Sequence, residues 1–154
     1  MNRLCSAASY APVAITLHCE QILSEIARLD PAKFIGLISR FISENQILNE
    51  SIEAPKELLS AVQLLTLHAL ATAIKHISSV ELLIELPLMM PLILPAFKSE
   101  LVDVRKAIVF VLVAIYVVVG DVLHSHVSSL TPPQKKLLTI YIEKNMSQRP
   151  KNET

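Results

Sequence analysis

The most constraining feature of this sequence is the uncharged run from Ala107 to Val119, AIVFVLVAIYVVV. A helix with no charge over this length must be shielded from water around almost its whole circumference, which requires other helices on several sides. A membrane span is the competing interpretation, but a span needs about 20 apolar residues, and Asp103, Arg105 and Lys106 closely precede this run. We therefore expect the central helix of a protein core, without membrane insertion.

The composition indicates one mostly helical domain. The 154 residues are 52% hydrophobic and 18% charged and include only 2 glycines, so few turns and little charged surface are expected. Lysine plus arginine equals aspartate plus glutamate at 14 each, which leaves no basic field for nucleic acid. Cys5 and Cys19 are too few for a disulfide scaffold and favour a reducing, cytoplasmic compartment. We predict one domain over residues 1–146, with a lead-in at 1–11, and a disordered tail over 147–154.

Prolines and capping residues predict where the helices begin. The predicted starts are Pro12, Asp30-Pro31, Pro55, Ser78, Leu101, Asp121 and Thr131. Pro87, Pro91 and Pro95 are expected to kink or break the helix that follows Ser78, because proline removes a backbone donor. The polar stretch from Ser43 to Ala54 is predicted to be the longest loop, and Gly120 a structural residue that caps the central helix.

Apolar spacing predicts the buried side of the first two helices. In the first helix the predicted stripe is Ile15, Cys19, Ile22, Ile26 and Leu29. In the second helix it is Phe34, Ile35, Ile38, Phe41 and Ile42.

The predicted helices repeat in pairs. Second members begin near Pro12, Pro55 and Leu101, at intervals of 43 and 46 residues, and first members begin near Asp30 and Ser78. Two helices per period of about 40 to 47 residues are typical of HEAT repeats, whose helices cannot bury their apolar faces alone. The predicted fold is therefore all-α, a short α-solenoid of HEAT-like pairs with about seven helices, and an irregular helical bundle is the alternative.

The last third of the chain resembles the carboxy-terminal domain of CLASP proteins, which are microtubule plus-end and kinetochore regulators. The segments that carry the resemblance are Val104–Ala107, Val109–Tyr116, Val118–Asp121, Leu130-Thr131 and Lys136–Ile142. The resemblance implies a fold similar to tubulin-binding TOG domains, which are built from HEAT repeats. It also implies that Arg105 is structural, because this position of a HEAT repeat normally stabilises the turn before it.

For function, the resemblance implies a non-catalytic module that docks proteins and thereby recruits a microtubule regulator. The implied partners are CLIP-family plus-end proteins, kinetochore proteins, and cortical or Golgi adaptors. The implied location is the cytoplasmic cytoskeleton, at microtubule plus ends, the spindle and kinetochores during mitosis. A tubulin-binding TOG domain and a homodimerisation module are the alternatives. Tubulin binding is disfavoured because the chain has no Trp, and because its turn Ser43–Ala54 is acidic, as tubulin surfaces are.

Charge points to a candidate docking surface. Residues 44–86 carry six glutamates against two lysines, whereas residues 131–154 carry five basic residues against two glutamates, so the molecule is predicted to be polarised. The candidate partner-binding residues are Lys98, Lys135, Lys136 and Lys144. Ordinary solvated faces are the alternative explanation of these charges.

Neither an enzyme nor a cofactor is expected from the sequence. It contains no glycine-rich phosphate loop, nucleophile elbow or paired-carboxylate motif. His124 and His126 are two positions apart, so on a helix they face different directions and do not form a metal site together.

Overall fold

The structure, a computed structural model, describes residues 17–48 and 55–149. These residues form α-helices, 3-10 segments and short connections, without strands. The α-helices in chain order are α1 (17–29), α2 (Pro31–Asn45), α3 (Lys56–His76), α4 (Ser79–Ile93), α5 (Val102–Val119), α6 (Leu123–His126) and α7 (Pro132–Ser147). Two 3-10 segments, Leu94–Lys98 and Gly120–Val122, connect α4 to α5 and α5 to α6. The prediction of an all-α chain with about seven helices is confirmed.

The helices form two layers that alternate along the chain. In one layer α2 packs against α4, which also contacts α6; in the other, α3 packs extensively against α5, which packs against α7. α1 contacts α3 of the second layer, because Glu20 Oε1 lies 3.0 Å from Nδ1 of His68. Sequential helices α2 and α3, and α4 and α5, pack across the two layers. This arrangement is compatible with a short solenoid of helix pairs.

The central helix is α5. From Ala107 to Ile115 every side chain is buried except that of Phe110, which is 52% exposed. The ring of Phe110 meets Tyr141 of α7 edge to face, with the ring centroids 5.7 Å apart. The prediction of a helix shielded on nearly all sides is confirmed for this part of α5, and the helix becomes half-buried toward Val119.

Capping residues set three of the helix starts. Oδ1 of Asp30 accepts a hydrogen bond from the backbone amide of Lys33 at 3.2 Å, and Oγ of Ser78 accepts one from that of Glu81 at 3.3 Å. At the start of α7 the backbone amide of Thr131 donates to the Gln134 side chain at 3.0 Å. Each bond satisfies a backbone or side-chain group that the first helical turn leaves unpaired.

A break at Pro87 or Pro91, one of the two outcomes predicted there, is wrong. α4 runs continuously from Ser79 to Ile93 with both prolines inside it, and the backbone tightens to 3-10 geometry only at Leu94, ahead of Pro95. Both internal prolines lie on the exposed side of α4. The carbonyl groups that lose a helical partner there can therefore be solvated, which lowers the cost of keeping the helix intact.

The apolar stripe predicted for α1 is wrong at three of its described positions. Ile22, Ile26 and Leu29 are exposed and Cys19 is half-buried, whereas Ala27 is buried and Leu23 packs on the core. The reason is the position of α3, which lies on the Glu20 side of α1. Ile15 lies outside the described residues.

The face predicted for α2 is correct at Phe34, Ile35 and Ile42, but Phe41 is 41% exposed at the edge of that face. α2 also continues to Asn45, into the predicted loop, and the next turn buries Ile47 and Leu48. Residues 49–54 of the predicted loop, the predicted lead-in 1–11 and positions 150–154 of the predicted tail lie outside the described residues.

Three described helical segments are long and apolar enough, by length and composition alone, to cross a membrane. These segments are Lys56–His76, Ser79–Lys98 and Val102–His126. In the structure the third segment packs against both of the others. Between 39% and 50% of each apolar window is buried inside the protein.

Candidate interaction surfaces

The four candidate lysines lie on two separate elements. Lys135, Lys136 and Lys144 are exposed on α7, and Lys98 is exposed at the end of the 3-10 segment that follows α4. At about 100° per residue, Lys136 and Lys144 lie on one side of α7 with exposed Ile140 between them, while Lys135 lies about 100° around the helix. The structure thus brings two of the four lysines onto one helix face.

Ser99 organises the turn between α4 and α5. Its backbone amide donates to the carbonyl of Ala96 at 3.2 Å, and its Oγ accepts from the amide of Leu101 at 3.2 Å. Its carbonyl accepts a hydrogen bond from Nη1 of half-buried Arg105. Arg105 therefore ties the first turn of α5 to the connection before it.

The start of α3 and the turn between α4 and α5 lie at the same edge of the stack. Lys56, the first residue of α3, has its Nζ 3.7 Å from Oε2 of Glu100, which lies in that turn. Both side chains are almost fully exposed, so this ion pair contributes little to stability. It does place Lys98 and Glu100 on an edge shared with the start of α3, with opposite charges facing one another.

Gly120 ends α5 in a conformation that favours glycine, with φ 67° and ψ −141°. The chain then turns so that the hydroxyl of Tyr116 donates to Oδ1 of Asp121 at 3.3 Å. His124 Nε2 lies 3.7 Å from the same oxygen, and its ring meets that of Tyr116 with a centroid distance of 6.0 Å. The negative charge of Asp121 is the main cause of a raised pKa for the Tyr116 phenol, because it disfavours the phenolate.

A buried polar contact that the sequence did not reveal joins α3 to the end of α2. Gln63 lies on the apolar side of α3, is nearly fully buried, and donates from Nε2 to the backbone carbonyl of Ile47 at 2.7 Å. The bond satisfies a carbonyl in the turn that buries Ile47 and Leu48. A polar residue inside an apolar helix was the only available signal in the sequence.

The outer side of α4 is apolar and exposed, which the sequence also did not reveal. Val80, Ile84 and Leu88 are 67%, 68% and 71% exposed, and Leu83 beside them is 41% exposed. Pro87 and Pro91 lie on the same side. We call these six residues the α4 outer face.

A shallow cleft of about 150 Å³ lies where the ends of α2 and α4 meet. Its walls are Ile42, Ser43, Gln46, Leu48, Pro91, Leu92 and Pro95. The lining combines apolar side chains with the polar residues Ser43 and Gln46 and carries no acidic or basic side chain.

Residues 17–48 and 55–149 contain no group of three or more His, Cys, Asp or Glu side chains that could hold a metal ion. Three surface features of the described residues have been identified: a basic face on α7, a turn edge of mixed charge and an apolar face on α4. All three are chemically suited to contact with macromolecules.

The chain is similar to CLIP-associating proteins. It is 28% identical over 128 residues to the CLIP-associated protein of Arabidopsis thaliana, an alignment covering 82% of this chain and 8% of that relative. It is 40% identical over 74 residues to CLIP-associating protein 1-A of Xenopus laevis, covering 48% of this chain and 5% of the relative. CLIP-associating protein 1 of Xenopus tropicalis is 41% identical over 71 residues, covering 46% and 5%. No model of a known protein family matches the chain.

Proposed function

We propose that this chain is a non-catalytic protein-docking domain of a CLASP-type regulator of microtubules, with a TOG-like arrangement of HEAT repeats. The observation that carries the proposal is the similarity to CLIP-associating proteins from a plant and from frogs. Since the chain spans 5–8% of the length of those relatives, it corresponds to one segment of a much longer protein. One helical segment without a catalytic motif is suited to binding rather than to chemistry.

The proposed partners are proteins that bring the regulator to its sites of action. The relatives are named for association with CLIP proteins, so CLIP-family plus-end proteins are the first candidates. Kinetochore proteins and cortical or Golgi adaptors are further candidates, and the proposed location is the microtubule cytoskeleton, including the spindle. On α7, Lys135, Lys136 and Lys144 are the proposed contacts for an acidic partner, and Lys98 is the proposed contact at the turn edge.

Direct tubulin binding is the second candidate function. In TOG domains the turns within repeats contact tubulin, and the corresponding edge here pairs Lys56 with Glu100. An edge whose exposed charges neutralise one another gives little attraction to the acidic surface of tubulin. We therefore place adaptor binding first.

Cosedimentation with tubulin at low salt, together with a pull-down that uses the chain as bait, tests this order. Adaptor docking predicts captured CLIP or adaptor proteins and little tubulin in the pellet. Saturable cosedimentation with tubulin, reduced by Lys98→Glu, would instead favour the tubulin-binding alternative. Light scattering at several protein concentrations tests the homodimer, which a constant monomeric mass would exclude.

A further inference from the structure

The α4 outer face is unusual for the exposed side of a helix. Val80, Ile84 and Leu88 recur every four residues, so their side chains form a ridge about 12 Å long at a rise of about 1.5 Å per residue. All three are more than two-thirds exposed. Single exposed apolar side chains are ordinary, but a contiguous apolar patch marks an interaction site.

α2 shows that an unbroken apolar outer side is not a general property of this layer. α2 packs beside α4, and its outer side mixes exposed Leu37 and Phe41 with the charged residues Lys33, Arg40 and Glu44. Arg40 Nε donates to Oε1 of Glu44 at 2.7 Å, and this hydrogen-bonded ion pair raises the pKa of Arg40. Charged residues therefore interrupt the exposed apolar side chains of α2, whereas none interrupts the α4 outer face.

The charges that border the α4 outer face restrict what can cover it. The sequence of α4, SVELLIELPLMMPLI, contains Glu81 and Glu85 but no lysine or arginine. A second copy that packs α4 against α4 brings no cation to pair with these glutamates. A second copy that presents the side of α7 with Lys136, Ile140 and Lys144 would bring cations, and measurement of the oligomeric state tests that arrangement. An anionic membrane would be repelled by Glu81 and Glu85, so the complementary surface is apolar with basic residues at its rim.

We propose that the α4 outer face binds the apolar side of a basic amphipathic helix from a partner protein. The proposal rests on the docking function above and adds the place and the chemistry of one binding site. Helical partners commonly insert residues at i, i+3, i+4 and i+7 beside an apolar ridge or groove. Lysine or arginine flanking those positions would meet Glu81 and Glu85.

The experiment measures fluorescence anisotropy of a labelled synthetic 18-residue helical peptide with leucine on one face and lysine on both flanks. Titration with the full chain is expected to give saturable binding. The variant Ile84→Gln/Leu88→Gln is expected to raise the Kd by at least about tenfold, because two anchoring side chains are lost. The matched control is Leu37→Gln/Phe41→Gln in α2, which changes two exposed apolar residues outside the α4 outer face and should leave the Kd within about twofold.

Removing the charges of Glu81 and Glu85 tests whether the partner is basic. Glu81→Gln/Glu85→Gln should weaken binding and reduce its dependence on salt, because two attractive charges are removed. The side-chain oxygen of glutamine can still accept from the Ser78 hydroxyl, and Ser78 Oγ still accepts from the backbone amide of residue 81, so the start of α4 is preserved. Unchanged affinity and salt dependence in this variant would overturn the basic character assigned to the partner.

Several results would overturn the proposal. One is the absence of binding by the lysine-flanked peptide. Another is equal binding by a peptide of the same composition in scrambled order. Sedimentation velocity showing a dimer that Ile84→Gln/Leu88→Gln dissociates would assign the face to a second copy. Pelleting with phosphatidylserine vesicles that the same variant abolishes would assign it to lipid.

The pull-down separates this proposal from the docking function. If the native chain and Ile84→Gln/Leu88→Gln capture the same partners in equal amounts, the docking function stands and the α4 site is wrong. If the native chain captures no partner while the peptide binds the α4 outer face as expected, the docking function fails and the surface property alone is supported.

Discussion

α4 and α5 are both almost entirely apolar, yet they occupy different environments. α5 has α3 and α7 beside it and α4 across the layers, and its side chains from Ala107 to Ile115 are buried except Phe110. α4 buries Leu82, Leu86, Met89, Met90 and Ile93 but exposes its opposite side to solvent. The absence of charged residues therefore identifies a helix with large apolar surfaces. The neighbouring helices determine how much of that surface the fold buries.

The largest expected effect comes from placing a charge in α5. Ile115→Asp should lower the free energy of unfolding by at least about 4 kcal/mol, because an unpaired carboxylate would be buried at a fully buried position. Ile84→Asp, on the exposed side of α4, should change it by no more than about 0.5 kcal/mol. Thermal and urea unfolding measure both variants, and equal losses would contradict the contrast between the two helices.

Truncations within α4 test its two sides separately. Leu86→Ala should cost about 2–5 kcal/mol, since Leu86 is fully buried and its removal leaves a cavity. Leu88→Ala, two residues along, should cost no more than about 0.5 kcal/mol. Urea denaturation of the pair provides the measurement. A large loss of unfolding free energy for Leu88→Ala would mean that the α4 outer face is already buried in the isolated chain.

A polar residue in an apolar helix gives a smaller effect. Gln63→Leu should lower the free energy of unfolding by about 1–3 kcal/mol, because the buried carbonyl of Ile47 would lose its hydrogen bond. Gln63→Glu is a useful companion, since it keeps the size of the side chain but removes the donor. Thermal denaturation should show a lower stability for both variants. If Gln63→Leu is as stable as the unmodified chain, the hydrogen bond from Gln63 to Ile47 contributes nothing to stability.

Only a small effect on stability is expected at the basic face of α7. Lys135→Glu/Lys136→Glu/Lys144→Glu should change the free energy of unfolding by no more than about 1 kcal/mol, because all three residues are exposed. The same change should weaken binding to an acidic partner, which is measured as loss of binding to a labelled polyglutamate peptide. The matched control replaces all three lysines with arginine and should retain binding. Equal binding by the glutamate variant would remove α7 from the candidate surfaces.

Much of the fold could be predicted because its signals are local. Asp30, Ser78 and Thr131 satisfy their own helix starts, and the uncharged run in α5 requires burial wherever it lies. The exposed stripe of α1 and the α4 outer face could not be predicted in this way. Spacing defines an apolar side, but only the positions of neighbouring helices determine whether that side is covered. The bond between Gln63 and Ile47 depends on the path of a turn, which spacing does not encode.

The candidate site was predictable only in outline. The lysines of α7 follow from charge counts, and helical geometry then separates Lys135 from Lys136 and Lys144. The α4 outer face was not predicted because Glu81 and Glu85 both lie to one side of the helix, which leaves apolar residues on two other sides. Wherever two opposite sides of a helix are both apolar, sequence alone does not distinguish a doubly buried helix from a helix with one side available to a partner.

The alternation of the two layers has a consequence for how the chain acquires its structure. Within residues 17–48 and 55–149, the extensive helix contacts join each helix to the next one or the next but one. Contacts between segments close in sequence form quickly, because short loops cost little entropy to close. Assembly can therefore spread from the α3–α5 pair outward in both directions.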